Sequence, residues 1–218
     1  MEQDRQIAWQ AAGRAAAALV EPGMRVGLGT GRAAAAGIVA LGERVRDGLR
    51  VRGVPTSPAS ARIAREQGIP LARLTGPLDL AFDGADAIDP QGLTVKGAGG
   101  AMVRERAVAT AAARFLVLVD PPKLVDTLDA WGSLPLAVAP FAASWVEHEL
   151  RDLRPARRPR RSDDGMTLID LQVPAGADWR AVADRARALP GVLDHGLFEV
   201  PLADVIVGRV DGRAAPAG

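Results

Sequence analysis

The 218-residue chain contains no cysteine. That excludes disulfides, thiolate zinc sites and a cysteine nucleophile together. Tyrosine and asparagine are missing too, and histidine occurs only twice, at His148 and His195, so no histidine pair stands at metal-ligand spacing. No run of about 18 apolar residues exists, and no charged-then-apolar leader opens the sequence. The expectation is a soluble cytoplasmic protein without a membrane partner. Neither charge sign dominates: 27 basic against 26 acidic residues leave a net charge of +1. Such balance gives no reason to expect a nucleic-acid binder.

Lysine is the scarcest charge. Of the 27 basic residues 25 are arginine, and the two lysines are Lys96 and Lys123. Two readings of this count stand side by side. The lysines survived a compositional drift by chance, or they occupy places where a wide, planar guanidinium does not replace a compact ammonium.

What is present is an alternation of strand and helix patterns. Asp4–Val20 has helical apolar spacing and stops at Glu21-Pro22-Gly23. Arg25–Leu28 reads as a buried strand, Gly29-Thr30-Gly31 as a turn, and 32–45 as a helix. Strands at 49–54, 69–71, 79–83 and 114–119 alternate with helices at 57–67 and 101–112. This order implies an α/β fold with a mostly parallel, Rossmann-like sheet covered by helices. After Asp120-Pro121-Pro122 the pattern changes: strands at 134–138, 166–173 and 192–198 enclose helices at 142–153 and 178–189. A second, smaller α+β domain of ferredoxin-like type is expected there. The final strand, 203–208, suits either sheet, and the tail from Arg209 is expected to fray. The expected division is residues 1–128 plus 203–218 as an α/β catalytic domain, and 129–202 as the small α+β domain.

Chemistry-bearing residues gather at the carboxyl ends of the first domain's strands, where α/β sheets bind ligands. Gly29-Thr30-Gly31 offers a helix N-terminus to an anion, although many such turns serve packing alone. It matches neither the longer dinucleotide glycine pattern nor a P-loop. Asp83-Gly84-Ala85-Asp86 follows a strand and reads either as crevice carboxylates or as a solvated turn. Lys96 opens the glycine-rich Lys96-Gly97-Ala98-Gly99-Gly100 loop, with Glu105 nine residues later. Glu105 is a general base if it faces the crevice, and an ordinary surface charge between Arg104 and Arg106 if it does not. Lys123 follows the most apolar strand. Arg157–Arg161 is the one basic run, with three readings: a solvated loop, an oligomer contact, or a nucleic-acid patch that lacks an extended positive face. The two histidines and four tryptophans read as packing or surface residues.

Four of these segments resemble the type A ribose-5-phosphate isomerase family: Val26–Gly31, Asp83–Asp89, Lys96–Glu105 and Asp120–Lys123. Weaker echoes include Thr56-Ser57, and the resemblance runs in order from about residue 4 to residue 212. It implies a phosphate site at Thr30 and Gly31, with Thr56, Ser57, Gly97, Gly99 and Gly100 beside the substrate. It further implies that Asp83, Asp86 and Lys96 surround the sugar, that Glu105 is the catalytic base, and that Lys123 contacts substrate. Arg32 and Ala33 stand where the family has Ser-Thr, and Trp9 or Gln10 where it has a first-helix lysine. Ala98 replaces a glycine and Ala87 a glutamate.

Most of these losses fall in the phosphate cradle, and two explanations compete. Arg32 grips the phosphate in compensation, or the substrate differs at that end. The implied reaction is aldose–ketose isomerisation of ribose 5-phosphate through an enediolate, without metal or other cofactor. The implied partners are a sugar phosphate and identical subunits in a homodimer or homotetramer. Isomerisation of a different sugar, and a non-catalytic sugar-phosphate sensor, remain as alternatives.

Overall fold

The computed structural model describes residues 2–217. The chain opens with α1 (Glu2–Ala18), β1 (Arg25–Leu28), α2 (Arg32–Arg46), β2 (Arg52–Pro55), α3 (Pro58–Glu66) and β3 (Leu78–Gly84). The short strands β4 (Ala87–Ile88) and β5 (Leu93–Val95) follow, then α4 (Met102–Ala111) and β6 (Ala112–Val119). Next come β7 (Ser133–Val138), α5 (Ala143–Glu149), β8 (Ala156–Arg157), β9 (Thr167–Gln172) and α6 (Trp179–Arg187). The chain closes with β10 (Val192–His195), β11 (Leu197–Glu199), β12 (Val205–Gly208) and β13 (Ala214–Pro216). Two compact units result: residues through 85, 104–124 and those from 200 onward form the larger, and 86–103 with 125–199 the smaller.

The larger unit holds a six-stranded sheet in the order β13-β12-β6-β3-β1-β2. Every neighbouring pair is parallel except β12 with β13. Alternate residues of a strand face opposite sides, and both sides are apolar here. Leu80 and Phe82 of β3 join a core with Ala16, Ile38 and Leu41 of α1 and α2, while Ala81 packs in a second cluster with Val108 of α4. Burial on both faces explains the apolar stretches within its strands, such as Leu116–Val119 of β6, while Arg52, Asp79 and Arg114 stand at exposed positions.

The smaller unit runs β7-α5-β8-β9-α6-β10 with strand order β10-β7-β9-β8, the split arrangement of ferredoxin-like folds. Its core brings Leu134, Leu136 and Ile169 against Val146, Leu150, Ala183 and Ala186. Beside it lies a three-stranded sheet, β11-β5-β4.

Several sequence expectations differ from the structure. Residues 86–103, expected with the larger domain, belong to the smaller unit. The extended stretch 192–198 breaks at Gly196, because β10 pairs with β7 whereas β11 pairs with β5. Residues 69–71 form only an isolated bridge, Gly53 to Leu71. The tail does not simply fray: β13 pairs along β12 at Ile206–Pro216, Val207–Ala215 and Gly208–Ala214. The final strand, left open between two sheets, joins the larger one beside β6.

Candidate active site

In the larger unit the chain leaves β1 at Leu28 and turns through Gly29-Thr30-Gly31 into α2. Gly31 has φ 98°, a conformation glycine adopts freely. It precedes α2 as an N-cap without a side-chain cap, so the helix presents its first-turn N–H groups beyond β1.

Asp83, near the end of β3, is buried. Its Oδ1 accepts the Thr30 N–H at 2.9 Å and the Gly84 N–H at 2.7 Å. The carboxylate and the turn therefore fix each other. Next to them stands a hydroxyl cluster: Thr30 Oγ1 lies 2.7 Å from Thr56 Oγ1 and 3.2 Å from Ser60 Oγ. Ser57 caps α3 by accepting the Ser60 N–H at 3.1 Å. Thr56, Ser57 and Ser60 are all buried, and they are satisfied locally: Thr56 Oγ1 donates to Leu28 O at 3.2 Å and Ser57 Oγ lies 2.7 Å from Ser60 Oγ.

Arg32 begins α2, and Ala33 behind it is buried. The Arg32 guanidinium stacks 4.5 Å over the Trp9 ring, and its Nη1 lies 3.2 Å from Glu2 Oε1. Arg5 also lies over Trp9, at 5.1 Å. Arg5 donates to buried Asp120 at 2.7 Å, which holds its guanidinium above the ordinary arginine range. Trp9, in the region where the family has a first-helix lysine, thus carries two arginines.

Glu105 sits in the first turn of α4 and is only 5% exposed, unlike a surface glutamate between arginines. The helix N-terminus favours a carboxylate there. Lys123 closes a 3-10 turn (Pro121–Lys123) after β6 and is half-buried.

The smaller unit contributes Asp86, Lys96 and the glycine-rich loop. Asp86 Oδ2 accepts the Ala98 N–H at 2.9 Å. Lys96 is 2% exposed, with its N–H bonded to Gly196 O at 2.8 Å and its Nζ 5.7 Å from the Phe198 ring. Gly97 and Gly100 have φ of 104° and 83°, and the Gly100 N–H closes the turn on Gly97 O at 3.0 Å. Ala98 and Gly99 do not take positive φ, so alanine fits at 98 without backbone strain. Among the described residues no group of three His, Asp or Glu side chains is placed to hold a metal ion.

Arg158 is the residue sequence reasoning missed. Its Nη1 donates to Gly97 O at 2.9 Å and Ala98 O at 3.0 Å, while Nε and Nη2 grip Asp170 at 2.7 and 2.6 Å. Elsewhere the basic run does pair at the surface: Arg157 bonds Glu147, and Arg160 stands 3.6 Å from Asp163. His195 accepts the Leu197 N–H through Nδ1, a contact that shapes the turn between β10 and β11. No helix among the described residues is long and apolar enough to cross a membrane.

The chain is similar to known proteins along nearly its whole length. The family model described as ribose 5-phosphate isomerase A (phosphoriboisomerase A) matches residues 52–212. Ribose-5-phosphate isomerase A of Thermomicrobium roseum is 45% identical, over 92% of this chain and 90% of that protein. The Natronomonas pharaonis protein of the same name is 46% identical, over 92% of each. Among solved structures, ribose 5-phosphate isomerase A from Methanocaldococcus jannaschii superposes with TM-score 0.88 at 32% identity, over 99% of this chain and all of that one. A D-ribose-5-phosphate isomerase in complex with phospho-erythronic acid superposes with TM-score 0.87 at 32% identity, over 99% of both chains.

Proposed function

The chain belongs to the ribose 5-phosphate isomerase A family, and we propose that it interconverts ribose 5-phosphate and ribulose 5-phosphate with Glu105 as the base. The observation that carries the assignment is the match to ribose 5-phosphate isomerase A proteins along nearly the whole chain, and the burial of Glu105 and Lys96, at 5% and 2% exposure, agrees with it. Charged side chains are seldom buried so deeply unless paired or functional.

In the opened aldose, Glu105 removes the C2 proton as the C1 carbonyl becomes an enediolate oxygen. The Lys96 ammonium stabilises that oxyanion, a task for a compact charge. Asp83 and Asp86 serve ring opening and carry the proton between the O1 and O2 oxygens. Glu105 then returns its proton to C1, and the carbonyl emerges at C2. Asp83 and Asp86 are three residues apart, so the chain alone keeps their Cα atoms within about 11 Å. A phospho-aldonic acid such as phospho-erythronic acid carries a planar pair of carboxylate oxygens, like the two oxygens of an enediolate. Its presence in a related structure supports this chemistry.

Thr30, Gly31 and the α2 amides hold the phosphate, with Thr56 and Ser57 backing them. Arg32, stacked on Trp9 at the head of α2, supplies the cation at that end, and Ala33 leaves room beside it. Gly97, Gly99 and Gly100 let the substrate approach the loop backbone, and Lys123 adds charge after β6. A doubly charged sugar phosphate does not cross membranes unaided, which fits a cytoplasmic location. Phe141, fully exposed, and Trp145 four residues on at the start of α5 are unusual for a free surface. They support a homodimer or homotetramer, and Phe141→Asp should shift the mass read by ultracentrifugation.

Turnover of ribose 5-phosphate, beside a panel of unphosphorylated pentoses and other sugar phosphates, tests the function. Glu105→Gln should lose about 10²–10⁴-fold in kcat, the usual share of a general base, with an unchanged melting temperature. An active Gln variant removes Glu105 from its role. No turnover of ribose 5-phosphate by the unaltered protein discards the substrate.

A further inference from the structure

We infer that Arg158 is a positioning residue for the isomerisation, locking the one peptide plane that joins the Lys96 loop to Asp86. The inference rests on the proposed function for its effect on turnover, and on geometry alone for the lock itself.

Arg158 differs from its neighbours in the basic run. Arg157 is 44% exposed and Arg160 88%, whereas the Arg158 side chain is 19% exposed. Side chains alternate across an extended strand. Leaving β8, Arg157 turns to Glu147 while Arg158 turns to Asp170. Both ends of this contact are anchored in the sheet. The Arg158 N–H bonds Leu168 O at 2.9 Å, and Asp170 sits inside β9, opposite Pro135 of β7 and Ala156 of β8.

The guanidinium uses one edge for a bidentate grip on the Asp170 carboxylate and a further nitrogen for two loop carbonyls. Only a planar fork spans both tasks. What it holds is specific. In a planar trans peptide the C=O and the following N–H point in opposite directions. The C=O of Gly97 accepts from Arg158 as well as from the Gly100 N–H that closes the turn, and the N–H of the same peptide, on Ala98, is taken by Asp86 Oδ2. Asp170, Arg158, peptide 97–98 and Asp86 therefore form one continuous chain of charge-assisted hydrogen bonds. Rotating that peptide would release the Asp86 carboxylate and turn the backbone directly after Lys96. The positive charge on the carbonyl side also polarises the peptide and strengthens its N–H toward Asp86.

The test compares the full-length protein with Arg158→Ala, Arg158→Lys and the exposed neighbour Arg160→Ala. Turnover and the exchange rate of the single Ala98 amide are the readouts. Arg158→Ala should lose about ten- to a hundredfold in kcat, the scale of a misplaced catalytic group, with KM nearly unchanged. Its Ala98 amide should exchange at least about tenfold faster, while the β7–β10 sheet keeps its protection. Arg158→Lys should recover only part of kcat, and Arg160→Ala should match the unaltered protein. Unchanged kcat in Arg158→Ala would overturn the inference, as would loss of protection throughout the sheet. If the unaltered protein fails to turn over ribose 5-phosphate, the functional reading falls. The Ala98 exchange rate then still decides whether the lock exists.

Discussion

Gly29→Ala is the sharpest probe of how the turn after β1 serves Asp83. A Cβ on Gly29 would lie 2.5 Å from the Asp83 Cα and would also collide with the Asp83 carboxyl carbon and Oδ1. The obstacle is backbone as well as side chain, so no rotamer change relieves it. Strands β1 and β3 are parallel neighbours in register from Val26–Leu80 to Leu28–Phe82, and the Gly29 N–H bonds Phe82 O at 2.9 Å. Either these strands part locally or Asp83 moves. Overpacking of this kind costs about 1–3 kcal/mol. Disturbing the N–H bonds from Thr30 and Gly84 to the carboxylate adds about 1.5–3 kcal/mol. A total of about 2.5–6 kcal/mol predicts a melting temperature lower by roughly 5–24 °C for a chain of this size. Assayed well below that temperature, the folded variant should still lose about a hundredfold in kcat, because its carboxylate is displaced by around 1 Å. Gly23→Ala is the control. Gly23 has φ 90° and open space around it, so alanine brings backbone strain of about 1–2 kcal/mol without touching Asp83. It should lower the melting temperature and leave kcat alone. Normal kcat in Gly29→Ala would refute the coupling of turn and carboxylate.

Arg32→Ala removes an exposed pair with Glu2 and a stack on Trp9, so stability should fall by less than about 1 kcal/mol, while KM for ribose 5-phosphate rises; an unchanged KM in steady-state kinetics would take Arg32 out of the phosphate site. Leu136→Ala, in the centre of the smaller unit's sheet, empties a fully buried site and should cost about 2–5 kcal/mol in denaturant unfolding. Asp152 is gripped by both Nη atoms of Arg185, at 2.6 and 2.8 Å, and that hydrogen bond holds its carboxyl below the usual range. A carboxyl depressed in the folded state contributes stability above its unfolded value and loses it as pH falls through the folded one. Both side chains are about half exposed, so screening keeps the contribution below about 1 kcal/mol. Asp152→Asn should therefore lower the melting temperature slightly at pH 7, and the difference from the unaltered protein should shrink as pH falls below the ordinary carboxylate range.

Local pattern and long-range packing divide what the sequence shows. β1 is legible to the residue because a buried apolar run lies between Gly23 and Gly29, both natural stops. The alternation through β6 is legible too, since burial on both faces keeps most of each strand apolar, although 69–71 reads as a strand and forms only a bridge. β4 and β5, at two and three residues, are too short to display a period. β13 owes its strand to β12 rather than to its own Ala-Ala-Pro. Asp83 and Lys96 are placed by their positions after strands, but the burial of Glu105 is not legible. Its flanks, Arg104 and Arg106, look the same on a surface helix. Arg158 is hidden by its company, because four arginines in five residues look alike in one dimension. One signal points to it in retrospect: Asp170 interrupts Leu168, Ile169 and Leu171, and a lone carboxylate at a partly buried strand position favours a cation beside it.

The proposed reaction gives one of the two lysines, Lys96, a reason to persist in a chain that otherwise uses arginine. Two cations serve the glycine-rich loop, and their surroundings differ in kind. Arg158 has oxygens arrayed along its plane, a carboxylate and two carbonyls, which a fork satisfies and a point charge does not. Lys96 is enclosed to 2% exposure and faces the Phe198 ring. Its three donors rotate about one nitrogen, so in the proposed reaction they would follow an oxyanion as charge moves from one sugar oxygen to the next. A guanidinium in that space would need more volume and would spread its charge over a plane fixed in advance. The loop therefore needs a rigid cation behind it and a compact, rotatable one in front. Arginine fills the first place and leaves the second to lysine.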